Sequence, residues 1–138
     1  MIDKEIIKIA SNTENHGVLD NHTHFSKLKN PVWGDEKKIY LIIENEKIID
    51  FKYECESCIF CQASVSLLSR SAKNKSIEKV KNFAELAKNC FEKNAKSFGN
   101  EWKEFDKIMT KNNISRKECL LLPVNTTLDA LNKKSLWN

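Results

Sequence analysis

The sequence predicts an α+β fold, and two observations carry that expectation. Residues 38–53 hold two strongly apolar runs separated by Asn45 and Glu46, which reads as an antiparallel hairpin. From Ile59 onward the apolar spacing changes to the three-and-four rhythm of amphipathic helices. At 138 residues, 41% of them hydrophobic, the chain is long enough to bury a core as one domain spanning 1–138 without disulfide staples.

Taken in order, Ile2–Ala10 carries Ile2, Ile6, Ile7 and Ala10 at helical spacing and predicts a short amphipathic helix. Asn12–His24 is polar, contains Gly17, and reads as irregular. His22 and His24 stand at i and i+2, a spacing that could bring both to one metal from a strand; in an Asn-rich loop the commoner reading is surface histidine. Pro31–Asp35 is a turn. The runs Lys38–Glu44 and Ile48–Tyr53 are the hairpin strands. Closing a hairpin also closes its open end, which brings Asp35 toward Cys55 and Cys58. A helix follows from about Ile59 to Lys73, and Ser76 is the expected N-cap of the next, with Ile77, Val80, Ala84, Ala87 and Phe91 on one face. Cys90 lies beside that stripe and reads as a packing residue. Lys93–Asn113, with Trp102, Phe105, Ile108 and Met109, predicts one further helix. Pro123 is expected at the first position of a last helix that turns Val124, Leu128 and Leu131 inward.

Charge and cysteine usage narrow the function classes. The net charge of +4 comes mainly from lysines interleaved with acidic residues, the pattern of a solvated face. A nucleic-acid surface would interleave Arg and aromatics on one stripe, which is absent. No apolar run reaches the length of a membrane span. The first residues are acidic and lack a signal-peptide pattern, and five cysteines make a poor disulfide framework, so the expected setting is the reducing cytoplasm.

Three of the cysteines, Cys55, Cys58 and Cys61, stand three residues apart where the strand pattern gives way to a helix. A ferredoxin cluster motif needs a fourth cysteine four residues on, where this chain has Val65. Cys58 and Cys61 also have the spacing of a dithiol redox pair, although a hairpin precedes them instead of a βαβ unit. Cys58, Cys61, Cys119 and Asp35 together make a tetrahedral donor set suited to zinc. At a helix N-terminus, the unpaired N–H groups and the dipole would favour the Cys58 thiolate.

From about Asn15 to Asn132 the chain resembles the iron–sulfur cluster assembly scaffold family, comprising IscU, SufU and the N-terminal domain of NifU. His16–Leu19 resembles the family's N-R-G-x-L, and Asn30–Asp35 its N-P-x-C-G-D. Ser57-Cys58 followed by Gln62–Ser66 resembles G-C-x-I-x-x-A-S-x-S. Lys73–Ser76 resembles K-G-K-S, and Arg116–Pro123 resembles R-x-x-C-x-L-P. The Gln-Ala-Ser string, Arg116 and the extra segment before Cys119 lean toward the SufU branch.

The resemblance implies a small antiparallel sheet of about three strands packed against several helices. It implies a site of three cysteines and one aspartate holding zinc or iron, the latter as a transient Fe–S cluster. A cysteine desulfurase as sulfur donor, and apo Fe–S proteins as acceptors, follow as partners. Carried over by position, the site keeps Asp35, Cys58 and Cys119, with Cys119 the candidate sulfur acceptor. The first family cysteine is replaced by Trp33, whose indole does not ligate metal. Cys61, one turn past Cys58, either stands in for it or packs as a small hydrophobe. Glu118 either adds a ligand or repels a persulfide. The expected role is a scaffold or sulfur acceptor, closer to a carrier than to a conventional enzyme. The alternatives are a degenerate scaffold that binds partners without building clusters, and a dithiol redox protein.

Overall fold

The computed structural model describes residues 3–30, 36–56, 58–92 and 97–135. The predicted turn Pro31–Asp35, with Trp33 and Asp35, lies outside them, as does Ile2.

Helix α1 (Lys4–Ala10) starts where Asp3 accepts a hydrogen bond from the Ile6 amide at 3.0 Å, a side-chain cap that stabilises a helix by about 1 kcal/mol. Its inward residues are Ile6, Ile9 and Ala10, whereas Ile7, expected on the buried face, is half-exposed. The i, i+3, i+4 set holds the helix to the core, and Ile7 lies off that stripe.

The next segment is irregular, as expected, yet firmly tied down. Backbone bonds run from Gly17 N to Tyr53 O and from Tyr53 N to Asn15 O, and Ser66 Oγ donates to Asn12 O at 2.6 Å. Gly17 takes φ +142°, which a side chain would resist. The segment ends in β1 (His24–Lys29), a strand whose mixed polar sequence conceals it. Strands β2 (Glu36–Glu44) and β3 (Lys47–Glu56) form the predicted hairpin, and the sheet is antiparallel in the order β1-β2-β3. Asn45 and Glu46 turn it at φ 51° and 62°, a left-handed two-residue connection matched to the strand twist.

Helix α2 (Ile59–Ala72) runs through the centre, packed by α1, β3 and α4. Its buried hydroxyls are all used: Ser64 Oγ donates to Leu120 O at 2.6 Å, and Ser69 Oγ donates to Ser66 O and accepts from Asn15 Nδ2. Such pairing is what lets serines sit in a core. Helix α3 (Ile77–Lys88) is capped by Ser76, which accepts from the Lys79 amide. It buries Val80, Phe83, Ala84 and Ala87, while Cys90 packs half-buried just beyond its end.

Two expectations need correction. The single helix predicted over Lys93–Asn113 is instead two 3₁₀ segments, Asn100–Lys107 and Lys111–Arg116, with 93–96 outside the described residues. Trp102, Phe105 and Ile108 recur every three residues and are all buried; Trp102 and Phe105 pack on Phe83, Phe105 also on Phe98, and the first segment kinks at Trp102 (φ −127°, ψ 17°). Gly99 at φ 81° precedes the first segment, and extended Thr110 precedes the second. Pro123 does not open the last helix. Helix α4 spans Lys117–Leu131 with Pro123 inside it, burying Val124 and Leu131 and leaving Leu128 partly buried.

Candidate metal centre

The starts of α2 and α4 meet, and each brings thiols. Cys58 is the N-cap residue of α2, in extended conformation at φ −66°, ψ 163°; Cys61 follows one turn on, and Cys119 lies in the first turn of α4. The three Sγ atoms lie within 4.8 Å of one another. Cys61 and Cys119 are fully buried and Cys58 is half-buried, so solvent reaches the group at Cys58.

Pro123 explains part of this geometry. An interior proline has no N–H for the carbonyl four residues back, which is that of Cys119. Cys61 Sγ donates to this carbonyl at 2.9 Å, and Ser64 Oγ bonds the next one, Leu120 O. The helix interruption and the two α2 side chains therefore dock the start of α4 onto α2.

The electrostatics favour negative sulfur. Two helix N-termini converge on the group, and each concentrates partial positive charge. The Cys58 thiol is drawn down to about 4, first by the Cys61 thiol, then by the Cys61 backbone N–H, the Arg116 side chain and the Cys119 thiol; together these outweigh burial, which pushes it up. Arg116 is set by stacking its guanidinium over the Phe60 ring, 5.1 Å from the centroid. In the sequence, Arg116 stands as the first residue of the R-x-x-C-x-L-P match and as a marker of the SufU branch. Its place just before α4 and three residues from Cys119 was the available sign of a role at the thiols.

The other predicted residues distribute as follows. Glu118 is exposed and outside the thiol group. The ring of His22 bonds Leu19 O and that of His24 bonds Thr23 Oγ1, and neither belongs to a metal-capable group among the described residues. Burial lowers the His24 imidazole pKa. Asp35 lies outside the described residues; its neighbour Glu36 pairs with Glu56, two residues before Cys58, at the open end of the hairpin. Cys55 stands apart from the thiol group, on the core face of β3, where it accepts a hydrogen bond from Lys37 Nζ.

Residues 1–100 match the family profile described as "NifU-like N terminal domain". The chain belongs to that family. It is 28% identical over 137 residues to the iron–sulfur cluster assembly scaffold protein IscU of Thermotoga maritima, covering 98% of this chain and 95% of that protein. It is 33% identical over 67 residues to the zinc-dependent sulfurtransferase SufU of Bacillus subtilis, covering 49% of this chain and 45% of the relative. The crystal structure of the SUF-system scaffold protein FiSufU from Fervidobacterium islandicum superposes with a TM-score of 0.87 at 26% identity, over 95% of this chain and 96% of that one. The N-terminal NifU-like protein of Brucella abortus shares the fold at a TM-score of 0.87 and 18% identity, over 94% of this chain and 90% of the other. The family is that of iron–sulfur cluster assembly scaffolds, and the α+β architecture with its three-stranded sheet is the fold it shares.

Proposed function

We propose that this NifU-like domain acts in the cytoplasm as a scaffold or sulfur acceptor that holds zinc or a nascent Fe–S cluster on Cys58, Cys61 and Cys119, with Asp35 as the fourth donor. The observation that carries the reading is the meeting of three thiols within 4.8 Å at two helix starts. Tetrahedral thiolate ligation at about 2.3 Å sets neighbouring sulfurs about 3.8 Å apart, so this group needs only a small contraction to fit. The donor set suits both zinc and iron–sulfur chemistry. In this arrangement Cys61 occupies the ligand role that Trp33 vacates.

A bound zinc ion would hold the sulfurs as thiolates and supply a Lewis-acidic centre. The protein's own residues do the rest. The helix N-termini and Arg116 stabilise negative sulfur, and the wholly buried Cys61 and Cys119 keep water from two of the donors. Sulfur arrives as the persulfide of a cysteine desulfurase. A thiolate of this chain attacks its outer sulfur, the persulfide S–S bond breaks, and the desulfurase cysteine leaves as thiolate. Cys119 is the acceptor by position in the motif, while Cys58 is the thiol that a partner meets first, being partly exposed. Apo Fe–S proteins are the recipients, and neither nucleic acid nor a membrane takes part.

Anaerobic purification followed by elemental analysis tests the reading. Bound zinc or iron falls at least severalfold in Cys58→Ser and in Cys119→Ser. Unchanged metal in both variants overturns it.

A further inference from the structure

A second pair of reactive side chains lies outside the thiol group. Lys37 and Cys55 are register partners on β2 and β3. The two-residue alternation puts Lys37 on the face of Ile39 and Leu41, and the register puts Cys55, Tyr53 and Phe51 on that same face. It points to the core: Lys37 is 0% exposed and Cys55 8%. Lys37 Nζ donates to Cys55 Sγ. Burying an ammonium-bearing chain where the strand pattern calls for an apolar residue is unfavourable unless it is paired. The pair therefore sets a primary amine against an oxidisable sulfur, held in place by strand register.

Small molecules can approach that sulfur from the side of Tyr53. Cys55 forms part of the wall of a cavity of about 510 Å³ with Ala10, His16, Tyr53 and Gln62, far larger than a peroxide. Cys55 is not a member of the metal-capable group, so its chemistry does not compete with ligation.

We propose that Lys37 and Cys55 form an oxidative modification site, at which a peroxide-class oxidant is consumed and a covalent N–S link ties β2 to β3. Cys55 Sγ attacks one peroxide oxygen and the O–O bond breaks. The departing hydroxide takes the thiol proton and leaves as water, giving the sulfenic acid, the first rung of thiol oxidation. The neutral Lys37 amine then attacks Sγ. The S–O bond breaks, and hydroxide leaves with a proton from nitrogen as a second water. Sulfur loses two electrons, the peroxide gains two, and the product is the sulfenamide. Two equivalents of small thiol reverse the step, one opening the N–S bond to a mixed disulfide and the second releasing Cys55.

The test treats the full chain, loaded with zinc, with hydrogen peroxide and maps it by non-reducing proteolysis and mass spectrometry. The expected result is a cross-linked peptide pair containing Lys37 and Cys55, lighter by two hydrogens, lost on dithiothreitol treatment, with trypsin no longer cleaving after Lys37. In Lys37→Met the link disappears and Cys55 labels with a sulfenic-acid probe; in Cys55→Ser neither species forms. Three wild-type results would overturn the proposal: Cys55 unmodified, Cys55 oxidised while Lys37 stays free, or Cys55 in a disulfide with another cysteine. The decisive result is read on wild-type protein, so misfolding of a variant does not obscure it, and metal content measured on the same sample separates this site from the thiol group.

Discussion

Cys61 and Cys119 are joined twice: their sulfurs belong to one group within 4.8 Å, and Cys61 Sγ donates to the Cys119 carbonyl oxygen at 2.9 Å. The second link exists because Pro123 cannot supply the N–H that this carbonyl would otherwise receive. Cys61 thus has a structural task that can be separated from ligation. In the metal-free protein, Cys61→Ala leaves a buried carbonyl without its thiol donor and is expected to destabilise by about 1–3 kcal/mol. Cys61→Ser keeps a donor at the site and is expected to lose about 1 kcal/mol or less. Urea unfolding of the two variants measures the difference, and equal losses would show that the hydrogen bond contributes nothing.

The same cluster sets the order in which thiols react. Cys58 is drawn down to about 4, chiefly by the Cys61 thiol, whereas burial pushes Cys90 up to about 11. A lowered value means that the thiolate persists as pH falls, until pH passes that value; a raised value means that it is scarce until well above neutrality. With metal removed, iodoacetamide at about pH 6 should therefore alkylate Cys58 at a rate nearly flat up to neutral pH, and well before Cys90. Peptide mapping of the time course checks this, and preferential labelling of Cys90 would contradict it.

Much of the fold could be read in the sequence where a local rule acts alone. The hairpin was visible because Asn45-Glu46 separates two β-branched runs, and α3 because Ser76 precedes a clean apolar stripe. The misread parts are those where tertiary contacts override local preference. Pro123 suggests a helix start until α2 provides donors for the carbonyls it disturbs. Trp102, Phe105 and Ile108 suit either helical period, and packing on Phe83 selects the tighter one. β1 is polar along much of its length and becomes a strand through its pairing with β2. For the site, spacing places Cys58 at a helix start but sets Cys119 ahead of a helix opening at Pro123; that the two thiols meet is a long-range fact, which the family resemblance implied. Lys37 carries a charge that signals solvent, while its alternation with Ile39 and Leu41 points it inward.

The hairpin turn offers a stabilising substitution. Glu46 holds φ 62° without the freedom of glycine, a conformation that disfavours a side chain by about 1 kcal/mol or more. Its backbone carbonyl accepts from the Ile77 amide at 2.9 Å, a bond that any residue keeps. Glu46→Gly creates the Asn-Gly pair suited to this turn and should raise stability by about 0.5–1 kcal/mol, after the greater chain entropy of glycine is subtracted. Thermal and urea unfolding measure it; a loss of stability would mean that the Glu46 side chain contributes more than its backbone strain removes.

The role of Cys61 as a ligand is decided by pairing two substitutions. If Cys61 replaces the thiol that Trp33 displaces in the family motif, Cys61→Ser lowers bound zinc or iron severalfold, and adding Trp33→Cys restores it. If Cys61 only packs and bonds the Cys119 carbonyl, Cys61→Ser retains wild-type metal, and Trp33→Cys adds a donor to an already sufficient set. Metal analysis of the two single variants and the double variant distinguishes these outcomes, because only the first reading makes the effect of Trp33→Cys depend on which residue stands at 61. A double variant no better than Cys61→Ser would separate the two positions functionally. The pair of thiols at the start of α2 would then be a device particular to this chain, not a relocated corner of the family site.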